Sequence, residues 1–246
     1  AFRPGYISFG ELSDHRLLDV EEFVATAEKY PDVIRGVKFR GSFDAAGSNV
    51  FLGLKAARFV ADTLQLPLMV HVSIPPLSIE DVLPHLQAGD ILTHCFTPFL
   101  AGMLDRNNKI KAVVWEARER GVLFDVGHGS GSFTFAAAEA ALAEGFLPDC
   151  ISSDLHVMSR EGAARDLPTT MAKFMALGLS FAEVLARVTT APAQAIGLAE
   201  TIGALAPGRP ADIAIVRIEK GETTFADVRG GQKSGDHRIA VVTTLK

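Results

Sequence analysis

The sequence predicts an α/β fold of the TIM-like (β/α)8 class, incomplete, with about six barrel strands present, joined to part of a small β domain. Three observations carry this. Short runs apolar on both faces recur through the first 202 residues and read as buried parallel strands. Helix-like segments of about a dozen residues separate them, the rhythm of βα units. From about Gly203 the rhythm gives way to turn-rich, glycine-broken strands. The expected domains are therefore 1–202, a barrel lacking its first strands, and 203–246, part of a small β-sandwich.

A strand near Gly5 to Phe9 precedes a helix near Val20 to Lys29. The run Gly36-Val37-Lys38 is a strand, followed by a glycine-containing loop and a helix from about Asn49 to Leu64. Leu66 to His71 leads through Pro75-Pro76 to a helix near Ile79 to Gln87. Asp90 to His94 is the next strand, with a helix near Lys109 to Arg120 that Gly121 ends. Val122 to Val126 turns through Gly127-His128-Gly129-Ser130-Gly131 into a helix from Phe133 to Glu144, and Cys150 to Asp154 is the sixth strand. A polar loop, His156 to Arg165, leads to helices near Leu167 to Leu177 and Phe181 to Val188. In the last part, Ala211 to Val216 and Val241 to Leu245 are strands, with Gly221, Gly230-Gly231 and Gly235 as breakers.

Composition excludes several partners. A net charge of -5 and a pI near 5.8 give no electrostatic reason to bind nucleic acid or an anionic membrane. No apolar stretch is long enough to span a bilayer, and the N-terminus lacks the basic-then-apolar pattern of a signal peptide. Cys95 and Cys150, both in strand-like surroundings, read as buried free thiols of a cytoplasmic protein.

Four residues end short apolar runs: Lys38, His71, His94 and Asp154. Parallel strands deliver their C-terminal side chains to one rim of a barrel, where such folds keep their chemistry. Two histidines on successive strand ends with an aspartate on a later one outweigh the reading of isolated structural histidines, and their imidazole and carboxylate groups suit Zn²⁺ and its neighbours. Lys38 is a poor ligand as an amine but a good one as a carbamate, the product of reaction with CO₂; the competing reading is a surface salt-bridge lysine. Asp154 is suited to carry a proton between water and a leaving group. Gly127 to Gly131 lacks the spacing of a dinucleotide loop and instead lets backbone approach a ligand. Arg40, on the face of Lys38, either meets a substrate carboxylate or holds an internal acid such as Asp44. His128 is a substrate-binding candidate set against a capping or loop role, and His156 is a second one. His15 and His85 are assigned nothing.

This order of Lys, His, His and Asp, with Gly203-x-Leu205-x-Pro207-Gly208-x-x-Ala211-Asp212-Ile213, resembles the amidohydrolase superfamily of metal-dependent hydrolases. The stretches Leu68 to Val72, Thr93 to Phe96, Asp125 to Gly129, Ser132-Phe133 and Ile151 to His156 resemble its dihydroorotase-like amidohydrolase/deacetylase branch more specifically. The resemblance implies that Lys38 is a carboxylated lysine bridging two metals, that His71 and His94 bind the second metal, and that Asp154 binds the first and shuttles the proton. It implies Zn²⁺, one or two ions in the complete enzyme, and hydrolysis of an amide or ester of an acetylated amino- or hydroxy-acid by metal-activated hydroxide. The alternatives are a dihydroorotase-type cyclic amide hydrolase, a purine-type deaminase, and an inactive truncated fragment.

One departure shapes the expectations. The family's first strand carries a His-x-His pair, and none occurs here, nor is residue 1 a methionine. The pair and two barrel strands are expected upstream. Without them the 246-residue chain is expected to hold at most one metal ion, to self-associate into a homo-oligomer through uncovered strand edges, and to show negligible hydrolysis of its small-molecule substrate.

Overall fold

The computed structural model describes residues 10–246; the strand expected near Gly5 to Phe9 lies outside them. The chain divides into two compact units. The first takes residues up to Thr93 together with Phe99–Arg106 and Ile110–Leu123; the second takes His94–Pro98, Asn107–Lys109 and Phe124–Lys246.

In the first unit, helix α1 (Val20–Lys29) starts at Asp19, whose carboxylate accepts the Glu22 amide. Strand β1 (Val37–Gly41) follows, then a single turn α2 (Phe43–Ala46), helix α3 (Val50–Leu64) and strand β2 (Leu68–Val72). A turn α4 (Ile79–Val82) passes into a 3₁₀ turn at Leu83–His85 rather than continuing as the helix expected to Gln87. Pro84 lacks the amide that a longer α-helix needs there. Strand β3 (Ile91–Thr93), helix α5 (Ala112–Glu119) and strand β4 (Leu123–Phe124) complete the run. The sheet order is β1-β2-β3-β4, with β1 and β3 both parallel to β2. Short parallel strands linked by helices, as the sequence predicts, bury Val37, Phe39, Leu68, Val70 and Leu92.

The anchor of this sheet is Asp90. Its buried carboxylate accepts the amides of Leu68 (2.7 Å) and Gln87 (2.7 Å) and pairs with Arg58 of α3. One side chain thus fixes the start of β2, the turn before β3 and the covering helix.

In the second unit, helix α6 (Phe135–Ala143) begins at Thr134. The segment after Asp149 runs parallel beside the chain leaving β4: Val126 N–H bonds Cys150 O at 3.1 Å, and Asp125 and Cys150 form a parallel bridge. A turn α7 (Val157–Arg160) precedes α8 (Leu167–Ala176), α9 (Phe181–Val188) and α10 (Thr190–Ala195). Phe96, Phe133 and Phe174 interlock with ring centroids 5.8 to 6.5 Å apart.

The C-terminal strands are longer than the sequence suggests. β5 (Ile213–Ala226) and β6 (Gln232–Leu245) form one antiparallel hairpin, so Gly221 and Gly235 lie within strands and do not break them. Gly221 sits at an irregularity of register between Lys220 and Thr223. Gly235 is needed for a close approach: a Cβ there would lie 3.0 Å from Ala176 Cβ of α8 and 3.1 Å from the Phe225 ring. Gly230-Gly231 does make the turn, held by Asp227, whose carboxylate accepts the amides of Arg229 and Gly231 at 2.8 Å each and that of Phe135 at 3.0 Å.

Candidate metal-binding and active-site residues

In the first unit, Lys38 is the second residue of β1 and not its end, because pairing with β2 continues to Gly41 opposite Val72. Val37 and Phe39 are buried, Lys38 is exposed and Arg40 is half-buried. Alternation puts Lys38 and Arg40 on one face. His71 lies in register with Arg40, on that same face. Burial, followed by the positive charges of Lys38 and Arg40, pushes the His71 imidazole down to about 3. It is neutral at pH 7, the form that binds a metal ion. Its Nε2 lies 2.8 Å from Ser73 Oγ. Arg40 pairs with Asp44 at 3.7 Å, the internal acid that the sequence offers as the alternative to a substrate carboxylate, and also with Glu11 at 3.2 Å, which the sequence does not single out. A cavity of about 430 Å³ along β1, α1 and α3 includes Lys38 and Arg40, but its walls are otherwise mostly apolar, as at Leu18, Phe23 and Val60.

In the second unit, His94 follows β3 directly, and both it and Asp154 sit in left-handed backbone, with φ of 65° and 43°. Such conformations cost a non-glycine residue about 1–2 kcal/mol and concentrate at functional sites. The loop Gly127-His128-Gly129 serves both residues. The Gly127 carbonyl lies 2.5 Å from His94 Nδ1. A carbonyl only accepts, so Nδ1 carries the proton and Nε2 the lone pair. Gly129, at φ 53°, lies so close to Asp154 that a Cβ would come within 2.7 Å of Oδ2. The loop is tied to the Asp154 segment by His128 N–H to Ser152 O and Gly129 N–H to Ser153 O, each 3.0 Å. Ser152 Oγ donates to Asp125 at 2.8 Å and accepts the Gly127 amide at 3.2 Å.

His128 is fully buried, stacked on Phe133 with centroids 4.6 Å apart. Its Nδ1 lies 3.0 Å from Gly129 O and its Nε2 2.8 Å from Lys173 Nζ. Burial, then the Lys173 charge, lowers its imidazole to about 4. His156 begins α7, its ring accepting the Met158 amide at 3.3 Å. Lys173, in the middle of α8, is 1% exposed and escaped the sequence analysis. Its signal was a lone cation within Met171-Ala172-Lys173-Phe174.

Among the described residues no three His, Cys, Asp or Glu side chains are grouped to hold a metal ion. Taken singly, the donors fit one. His71 is held neutral by its surroundings, His94 is fixed in one tautomer by a carbonyl, and Asp154 offers a carboxylate at a strained backbone position.

The amidohydrolase family model matches residues 45–236. The chain is 35% identical over 244 residues to a protein named deacetylase from Enterococcus faecalis, covering 98% of this chain and 66% of that protein. It is 33% identical over 220 residues to a deacetylase of Agrobacterium fabrum, covering 89% and 54%. Among solved structures, one titled an adenine deaminase superposes with a TM-score of 0.92 at 36% identity, covering 96% of this chain and 65% of that one. One titled a dihydroorotase gives 0.84 at 32%, covering 96% and 63%. The chain thus spans about half to two thirds of the length of the relatives it matches.

Proposed function

The chain belongs to the amidohydrolase family, and from that premise we propose that it acts as a divalent-metal-dependent hydrolase of the deacetylase type. Its substrate is a small acetylated amino- or hydroxy-acid, cleaved at an amide or ester bond. The observation that carries this reading is the placement of His94 and Asp154: two strained residues held by one glycine loop, the histidine presented in the tautomer a metal ligand needs. The names of the relatives favour deacetylation over other hydrolyses.

Lys38, His71, His94 and Asp154 are the proposed metal-binding residues, and imidazole with carboxylate favours Zn²⁺. Lys38 takes part as its carbamate, a modification its exposure permits. A bound divalent ion supplies Lewis-acid polarisation of the scissile carbonyl. Asp154 accepts the proton of the attacking water and returns it to the leaving nitrogen or oxygen. A cytoplasmic setting agrees with the buried free thiols Cys95 and Cys150, and no helix among the described residues is long and apolar enough to cross a membrane. Association into a homo-oligomer is proposed as well.

The similarity to an adenine deaminase structure favours a second reading, release of ammonia from a purine-type ring. The test is an assay of the Zn²⁺-loaded protein carrying this sequence against N-acetyl amino acids, acetylated hydroxy-acids and adenine. Acetate release that disappears in Asp154→Asn is the expected result. Ammonia release without acetate supports the deaminase instead, and turnover of neither class overturns both.

A further inference from the structure

Lys173 stands out in the second unit as a buried cation with no part in the reaction proposed above. A lysine ammonium has three N–H donors and no acceptor. All three find partners: Ala163 O at 2.6 Å, Ala226 O at 2.7 Å and His128 Nε2 at 2.8 Å. The ammonium also lies 5.7 Å from the centre of the Phe133 ring and 5.9 Å from that of Phe135. Burial lowers its affinity for a proton to about 8, with Asp227 opposing, so it remains mostly charged at pH 7.

The consequence falls on the loop Gly127-His128-Gly129. With Lys173 donating to Nε2, His128 must carry its own proton on Nδ1, and that proton meets the Gly129 carbonyl at 3.0 Å. Both ring nitrogens are thereby committed, and the ring is clamped against Phe133 at an interplanar angle of 24°. The residues on either side of this clamped ring are the two that matter. Gly127 gives its carbonyl to His94, and Gly129 lies against Asp154.

We propose that Lys173 is a positioning residue: through His128 it locks the Gly127–Gly129 loop, which in turn fixes the ring of His94 and the carboxylate of Asp154. The proposal rests on the reading of His94 and Asp154 as site residues only for its functional meaning; the lock itself is a statement about tautomers and loop geometry. A neutral apolar side chain of similar length fills the same space but leaves Nε2 without its donor and the loop without its brace. Groups that orient metal ligands from behind alter affinity for the ion by about 10–100-fold.

The test uses the metal-free chain, with ¹⁵N NMR of its histidines and Zn²⁺ binding measured by competition with a chelating dye. The wild-type spectrum is expected to show Nδ1–H tautomers at both His94 and His128. In Lys173→Met, His128 is expected to lose its single tautomer, the His94 Nδ1 and Gly127 amide signals to move, and Zn²⁺ to bind about 10–100-fold more weakly. Lys173→Arg, which restores a charged donor, is expected to recover part of the affinity. Val184→Ala, a core truncation in α9, controls for lost stability and should leave tautomers and Zn²⁺ affinity as they were. An Nε2–H tautomer at either histidine of the wild type overturns the proposal even if Lys173→Met does not fold. So does a folded Lys173→Met that binds Zn²⁺ as tightly as the wild type. Failure to find a hydrolysed substrate leaves these readouts untouched, so the two proposals fail separately.

Discussion

Acidification is expected to destabilise the metal-free protein well before its carboxylates protonate, through two histidines. His71 is lowered to about 3 and His128 to about 4, in each case first by burial and then by neighbouring cations. Both are bases whose folded pKa is depressed, so between the folded values and about 6.5 the unfolded chain binds protons that the folded chain refuses. Stability from this source is present above about 6.5 and is lost as pH falls. From pH 7 to 5.5 each imidazole withdraws about 1.2 kcal/mol, and the two together about 2.5 kcal/mol. Urea unfolding at the two pH values, in the presence of a chelator, measures the loss. Other groups also titrate, so the decisive quantity is the difference between the wild type and His128→Asn. That variant should lose about 1.2 kcal/mol less than the wild type over the same interval. Equal losses in the two proteins would show that His128 is not held neutral by its surroundings, and the account of its burial beside Lys173 would be wrong.

Two further outcomes follow from buried groups. Asp90→Asn keeps one acceptor oxygen but turns its NH₂ either toward the Leu68 amide or toward the Gln87 amide and Arg58, all of them donors, and should cost about 3 kcal/mol in a denaturant melt; a loss under about 0.5 kcal/mol would contradict the anchoring role given to its carboxylate. Cys150, its thiol pushed up to about 12 by burial and by the charges of Asp125 and Asp149, and Cys95, also buried, should resist a thiol reagent at pH 8 and react fully in denaturant; rapid labelling of either in the folded protein would count against the packing described.

What the sequence makes legible is local. Helix α9 runs over Phe181–Val188 as expected, because Ser180 and Glu183 form a capping box that fixes its start by chemistry visible in four residues. The common face of Lys38 and Arg40 along β1 was likewise readable, from the order of the residues, whereas the openness of that face was not, since the run reads as apolar on both faces. The misjudged features depend on distant partners. Gly235 reads as a breaker until α8 is seen to press against it, and only then is it a strand residue chosen for its lack of a side chain. Lys38 reads as a strand end because nothing in Gly36-Val37-Lys38 shows that pairing with β2 continues to Gly41. Of the candidate residues, the types of His71, His94 and Asp154 were visible, but the left-handed backbone of the latter two and the carbonyl behind His94 were not. Lys173 was hidden for the same reason: its partners at positions 128, 163 and 226 are scattered along the chain.

The turn of the C-terminal hairpin sets an order of events during synthesis. Asp227 accepts the amide of Phe135 across 92 residues, and Ala226 accepts Lys173 across 53. Until the ribosome has released that turn, the first turn of α6 lacks one acceptor and a buried ammonium lacks another. Chains emerge at about 5–20 residues per second, so the second unit must wait several seconds in an unfinished state after Lys173 has been added. Over that interval the Phe133 carbonyl also lacks the Val228 amide that it accepts at 3.3 Å, and a chaperone that recognises apolar segments has its opportunity there.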